Sequence, residues 1–265
     1  MSVIFSIIIP TYNVQKSIVR TLDSIIKQSL KSFEILIIDG RSTDNTIETV
    51  NHYLIKSGFT EFKIISENDT GIYDAMNKGI SIATGNFIYF LGSDDLLYSS
   101  DVLELVNVNI KKFKDVEIFY GNVLRYDVTN KTKEKFVKTF TLYNNKLLNK
   151  LIIFFKLGLC HQTFFARREL FSTRFSLEYK LVSDLNWILD LVEDKKRFKH
   201  INITIAKYNI SGTSSDLGLL FLELIAVFTA HYGITLGYIF RLLRKKRWMI
   251  AMQRTEMKKF QNNGI

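Results

Sequence analysis

Within the first hundred residues, four short runs of strand-forming apolar residues alternate with stretches of helical periodicity. This alternation leaves few folds open. The runs are 3–9 (VIFSIII), 33–38 (FEILII), 62–66 (FKIIS) and 87–91 (FIYFL). Between the first two, Ile18, Leu22, Ile25 and Ile26 recur at the spacing of one helix face and predict a helix over 14–28. Helices are likewise predicted over 46–55 and 72–83. Strand–helix repeats of this length build a mostly parallel α/β sheet with right-handed crossovers. The run 87–91 is apolar throughout, as a strand buried on both faces requires.

In such a sheet the loops that follow the strands converge on one edge, where open α/β sheets bind ligands. Here those loops carry Pro10, Thr11, Tyr12 and Asn13, then Asp39, then Asp69, then Asp94 and Asp95. Asp39 can accept hydrogen bonds from a base or ribose, and Tyr12 can stack on a base. The plainer roles are a turn residue before Gly40 and a partly buried ring. The adjacent carboxylates of Asp94 and Asp95 repel each other, and a cation or hydrogen-bonding ligand would offset that. Oxygen donors of this kind suit Mn²⁺ or Mg²⁺, which in turn can hold a diphosphate. A helix cap is the alternative for the pair. Asp95 is expected to be an exposed strand-end carboxylate with little packing. That all four loops carry such groups favours one shared site.

Composition narrows the class. Of 265 residues, 47% are hydrophobic and 23% charged, which is globular and not disordered. The single cysteine, Cys160, excludes an internal disulfide framework, fits a reducing cytoplasm and is expected to be inert packing. Net charge is +10, of which the last twenty-five residues supply +7: Arg241, Arg244, Lys245, Lys246, Arg247, Arg254, Lys258 and Lys259 against Glu256. The basic character therefore belongs to one end, and no nucleic-acid partner is expected.

The segments IIIPTYN, EILIIDGRSTDNT, ENDTGIYDAMNKGISIATG and FIYFLGSDD occur in this order. Together they resemble the family 2 glycosyltransferases, over roughly residues 3–97. The resemblance implies a GT-A fold and an inverting transfer from a nucleotide diphosphate sugar. It implies that Thr11, Tyr12 and Asp39, within the Pro10–Asn13 and Asp39 loops, meet the nucleoside. Asp69, Asn77 and Lys78 would line the nucleotide or sugar side. Asp94 would contact ribose or sugar, and Asp95, with Asp94 beside it, the divalent metal. Ser93 stands at the first position of the family's DxD pattern, so the usual first carboxylate is absent. No G-x-G-x-x-G follows the first strand, which disfavours a dinucleotide-binding dehydrogenase.

Further along, strands are predicted at 116–121, 123–128 and 136–142, the last pairing back as a hairpin that covers the acceptor side in relatives. A helix over 145–155 is expected to present Leu147, Leu148, Leu151, Ile152 and Phe155 on one face. In GLCHQTFFARR, His161 is either a hydrogen-bonded structural residue or a group approaching the diphosphate or acceptor. Asp184 precedes an apolar helix at 185–192 and matches the family's catalytic base, with Ser183 where many relatives carry Glu. Capping that helix is its plainer role. A late strand spans 201–208, and the small-residue loop 209–216 is either a lid over the donor or a linker.

Residues 217–240 are strongly apolar, broken by Glu223 and His231, and lead into the basic run. An interfacial helix on an anionic membrane is preferred over packing against the body or a second subunit, and over a span. The chain is thus expected to hold a catalytic domain over 1–210 and a helical appendage over 211–265. The expected activity is transfer of a hexose or N-acetylhexosamine, from a UDP- in preference to a GDP-sugar, to a glycan or polyprenyl-linked hydroxyl at the inner face of the plasma membrane. The alternatives are a non-catalytic nucleotide-sugar or membrane-surface binder, a sugar-nucleotide pyrophosphorylase and, for the tail, a homodimer contact.

Overall fold

The computed structural model describes residues 3–126, 135–143, 145–156, 160–209 and 216–233. Strands β1 (Phe5–Thr11), β2 (Phe33–Asp39), β3 (Phe62–Ser66) and β4 (Phe87–Phe90) are parallel and lie in the order β3-β2-β1-β4. Every residue of β1 and β2 is buried, in keeping with their apolar runs. β1 runs two residues further than periodicity suggests, because Pro10 still pairs with Ile38 and Thr11 with Asp39. Proline is tolerated there for a geometric reason. The Ile8 carbonyl accepts from Leu91 N, so the main chain two residues on faces the same side, where pairing with β4 has ended.

Past β4 the sheet becomes mixed. β8 (Phe164–Arg167) runs antiparallel between β4 and β6 (Ile118–Tyr126). β9 (Phe198–Asn209) lies parallel to β6, and β5 (Leu96–Leu97) closes that edge against β9. The two strands predicted at 116–121 and 123–128 are one strand whose register with β9 shifts around Asn122. At Gly121 a Cβ would come within 2.7 Å of the Ile203 carbonyl, so only glycine permits that approach. β7 (Lys135–Val137) pairs back on β6 as expected but is shorter than the predicted 136–142; the residues joining them lie outside those described.

Helices cover both faces. α1 (Ile18–Ile26), α2 (Thr46–Lys56) and α4 (Val102–Lys112) pack on one core, and α3 (Ile72–Ile82), α5 (Lys146–Lys156), α6 (Ser183–Glu193) and α7 (Leu217–Tyr232) on the other. α5 turns a different face inward from the one periodicity selects. Ile153 and Phe154 are buried, whereas Leu147, Leu148 and Leu151 are exposed, because Phe154 packs edge-on against Phe228 of α7.

α7 corrects two expectations. Its Leu224, Val227 and Phe228 are buried in the larger core, so as far as Tyr232 it belongs to the body and the division at 210 does not separate it in space. The polar residues that interrupt its apolar run are anchors. Glu223 accepts from the main-chain nitrogens of Lys180 and Leu181 at 2.7 and 2.8 Å. His231 meets Glu193 and Asn186. Packing against the body therefore accounts for the described part of this segment, in place of the preferred interfacial helix. No described helix is long and apolar enough to cross a membrane. The basic run 241–259 and most of the loop 209–216 lie outside the described residues.

Candidate active site

Register builds the first half of the site. Thr11, Asp39 and Ser66 are neighbours across the ends of β1, β2 and β3. Asp39 is fully buried and accepts from Thr11 Oγ1 at 3.3 Å, Ser66 Oγ at 2.7 Å and Ser42 N at 2.9 Å, and also from the Ser42 hydroxyl. Three of these donors are hydroxyls, which can turn toward another acceptor and free the carboxylate for a ligand N–H. Tyr12, 62% exposed, stands at the mouth with its ring open.

Asn13 has a structural task. Its φ of 52° is left-handed, and its Oδ1 accepts from Thr43 N at 2.8 Å, tying the first loop to the second. Asp69 approaches from the third loop. Its carboxylate lies against Gly40, where a Cβ would come within 2.5 Å of Oδ2. Burial lifts the Asp69 carboxyl above its ordinary value, partly opposed by the Gly71 N–H and the Lys78 charge. Lys78 holds that loop through the Asn68 carbonyl and Glu67. Asn77 goes elsewhere: its amide donates to Phe175 O at 2.9 Å and accepts from Phe175 N at 3.0 Å. Both ends of the side chain are thereby used on scaffold, and the structure does not bring it to the crevice as a ligand group.

The carboxylate pair forms the second half. Asp95 is 1% exposed, not the surface residue its place after a strand suggests. Its Oδ1 accepts from Asn209 N at 2.8 Å and its Oδ2 from Gln162 Nε2 at 3.0 Å. Asn209 also donates from Nδ2 to Asp94 Oδ2 at 2.8 Å, so one residue joins both carboxylates. They crowd Gly92, where a Cβ would meet Asp95 Oδ2 at 2.5 Å and Asp94 Oδ1 at 3.5 Å. Burial, reinforced by the Asp94 charge, pushes the Asp95 carboxyl up to about 6. Tyr126, at the end of β6, steadies the loop by donating to Asp94 O at 2.7 Å.

The third part centres on Asp184 in the first turn of α6. Its Oδ2 accepts from both His161 N and His161 Nδ1 at 3.0 Å, and its Oδ1 from Tyr73 OH and Leu185 N at 2.9 Å. Burial alone would raise this carboxyl, but the hydrogen bonds from His161 and Tyr73 hold it below the ordinary value. Asp184 is the second residue of α6 and takes one first-turn amide, that of Leu185, but its other three hydrogen bonds come from His161 and Tyr73, so capping is only part of its role. His161 and Gln162 share one short 3-10 turn, which links the Asp184 cluster to Asp95. Three polar atoms beside these carboxylates are buried without partners among the described residues: His161 Nε2, Gln162 Oε1 and Ser183 Oγ. Burial, followed by the Asp184 charge, pushes the Cys160 thiol up to about 12, so it is inert as expected.

The donor set suits a hard cation only in part. Two carboxylates meet at one place, and burial of ionised Asp95 beside Asp94 is a condition that a cation would relieve. Among the described residues no three His, Cys, Asp or Glu side chains converge, so further oxygens would have to come from a diphosphate. Sequence reasoning missed Tyr73, Gln162 and Asn209. Tyr73 and Gln162 lie within quoted segments, but nothing in their spacing marks them.

The model of glycosyl transferase family 2 matches residues 6–175. A PGL/p-HBAD biosynthesis glycosyltransferase of Mycobacterium bovis is 34% identical over 215 residues, covering 80% of this chain and 79% of its own. S. aureus TarS 1–349, solved in complex with UDP-GlcNAc, has a TM-score of 0.65 at 20% identity, over 86% of this chain and 67% of that chain. Mannosyltransferase PcManGT from Pyrobaculum calidifontis, solved with GDP-Man and Mn²⁺, has a TM-score of 0.64 at 16% identity, over 87% of this chain and 64% of that chain. At those identities the two structures speak for the shared GT-A fold alone.

Proposed function

The chain belongs to glycosyl transferase family 2, and we propose that it moves a sugar from a nucleotide diphosphate sugar to a hydroxyl of a glycan or lipid-linked acceptor. The observation that carries this reading is that one sheet edge holds Asp39 and, beyond it, a chain of contacts from Asp94 and Asp95 to Asp184. Asp39 marks a nucleoside end, Asp94 and Asp95 a diphosphate end, and Gln162 with His161 connects the latter to Asp184. Both solved structures hold a nucleotide diphosphate sugar, UDP-GlcNAc in TarS and GDP-Man in PcManGT, which supports that class of donor.

In this reading the buried Asp39 accepts an N–H of the base once a serine hydroxyl turns away, and Tyr12 stacks on the ring. Asp94 and Asp95 would hold Mn²⁺ or Mg²⁺ together with the diphosphate. When bound, the ion offsets the charge that grows on the leaving diphosphate. Asn209 and Gln162 keep the two carboxylates oriented, so little reorganisation accompanies the reaction. A single in-line displacement at the anomeric carbon inverts its configuration. The acceptor hydroxyl must lose its proton during that step, and Asp184 is the carboxylate on which the transfer depends.

The basic run 241–259 favours an anionic surface, which would bring the enzyme to a lipid-linked acceptor on the cytoplasmic face of the membrane. The test of the whole reading is direct. UDP or GDP is released from a sugar donor when acceptor is present, and Asp184→Asn loses at least about a hundredfold in turnover with nucleotide affinity barely changed. If no nucleotide diphosphate raises the melting temperature with Mn²⁺ present, the reading fails.

A further inference from the structure

At the sheet edge away from the candidate active site, α3, α4 and the turn after β8 frame a groove of about 890 Å³. β4 carries the two places at its opposite ends. Phe87 opens the strand and lines the groove, whereas Gly92–Asp95 lie beyond its far end. The four residues of β4 alone separate them by roughly 13 Å, at about 3.3 Å per residue. The lining gathers five cations, Lys111, Lys114, Arg167, Arg168 and Arg174, against one carboxylate, Glu169. Among the described residues none of the five forms an ion pair. Like charges brought together in a concave place repel, and a bound anion offsets that.

The arginines are set in place by main-chain oxygens. Arg167 donates from Nε to Val116 O at 3.1 Å and from Nη2 to Lys114 O, with its guanidinium 5.6 Å from the centre of the Phe87 ring. Arg174 donates to Asn77 O at 3.3 Å, and Arg168 reaches Ala83 O at 3.5 Å. Ala83 and Lys114 lie just past the carboxyl ends of α3 and α4, so complementing helix ends is part of what these arginines do. It does not use them up. A guanidinium has five N–H donors, and these bonds take two from Arg167 and one from each of the others. Lys111 and Lys114 are exposed and add two mobile ammonium groups.

We propose that this groove is a second ligand site, which takes a compact anion carrying several phosphate groups. The five cations exceed the one carboxylate by four charges, so a singly charged ligand leaves most of the repulsion in place. A terminal phosphate carries about two negative charges and three acceptor oxygens, and a carboxylate only one charge and two oxygens. The guanidinium fork matches phosphate oxygens in pairs, and arginines already held by main-chain oxygens lose little freedom on binding. A concave groove of this size suits a small molecule more than the flat surface of a membrane. The site stands apart from the transfer chemistry and needs none of it.

Sodium tripolyphosphate is the probe, titrated calorimetrically into the full chain in metal-free buffer at about 0.15 M salt. One molecule should bind per chain. The pair Lys111→Gln and Lys114→Gln should weaken it at least about tenfold, and so should the pair Arg168→Gln and Arg174→Gln. Lys56→Gln with Lys63→Gln removes the same charge from exposed positions of α2 and β3 and should leave the affinity unchanged. Citrate, with three carboxylates, should bind at least about tenfold more weakly than tripolyphosphate. Absence of binding, an affinity indifferent to both groove pairs, or an equal loss in the α2–β3 pair overturns the proposal. Equal affinity for citrate overturns the phosphate assignment. If tripolyphosphate does not bind and the groove variants lose sedimentation with phosphatidylglycerol vesicles, the groove reads a lipid surface and the small-ligand site fails.

Discussion

Gln162 donates from Nε2 to Asp95 Oδ2 at 3.0 Å, across 67 residues of sequence, while its own Oε1 is buried without a partner among the described residues. One position earlier, His161 binds Asp184 through both its main chain and its ring. A three-residue turn therefore couples the carboxylate of the proposed diphosphate end to the carboxylate of the proposed proton-transfer end. Displacing either residue would be felt at both.

Asp95→Asn should abolish the Mn²⁺-dependent part of UDP or GDP binding while leaving the chain folded. The substitution keeps the size of the side chain and removes a buried charge that is repelled by Asp94. Nucleotide affinity measured with and without Mn²⁺ decides the matter. An unchanged affinity in the presence of Mn²⁺ would refute the metal assignment.

Asp95 also predicts a pH dependence. Its folded-state pKa of about 6 lies above the ordinary 3.8, so the folded protein keeps a proton that the unfolded chain has already lost. The corresponding stability is fully present below the ordinary value and is lost as pH rises through about 6. In metal-free protein, the melting temperature of Asp95→Asn should therefore gain on that of the wild type between pH 4.5 and 7. A difference constant over that range would contradict the burial argument. Asp184 has the opposite sign: its stabilisation holds above the ordinary carboxylate value and is lost as pH falls through its lowered one.

Asn77→Ala distinguishes scaffold from ligand contact. It leaves the main-chain nitrogen and carbonyl of Phe175 without their partner, a loss of roughly 1–3 kcal/mol that lowers Tm by roughly 2–4 °C per kcal/mol. UDP affinity should not change. Weakened binding without loss of stability would return Asn77 to the donor site.

The C-terminal segment can be divided at Gly233. Truncation after residue 233 should leave the fold intact and abolish sedimentation with anionic liposomes. Truncation after Asp216 removes Leu224, Val227 and Phe228 from the core and both acceptors of Glu223, and should destabilise the whole body. High salt should weaken the full chain's association, since each basic residue near the surface contributes on the order of 1 kcal/mol that salt screens. Equal sedimentation of the full chain and the 1–233 form would remove the membrane role from the basic run. A dimer that becomes monomeric on that truncation would make the run an oligomerisation element.

By itself the sequence determined the βα alternation through β4 and the edge where the loops meet. Both follow from local periodicity: a buried strand must be apolar along its length, and parallel connection brings every carboxyl end to one side. Thr11, Asp39 and the Asp94–Asp95 pair were legible for that reason. What surrounds them was not. Tyr73 reaches Asp184 over 111 residues, Asn209 reaches Asp95 over 114, and Phe175 claims Asn77 over 98. Such partners are chosen by how layers pack, and no local pattern records them. The same holds for the burial of Asp95 and for α7, whose Glu223 and His231 look like interruptions of an apolar run until the α6 side of the body supplies their partners. Local pattern specified where chemistry gathers; long-range packing decided which side chains hold it and which atoms are left open.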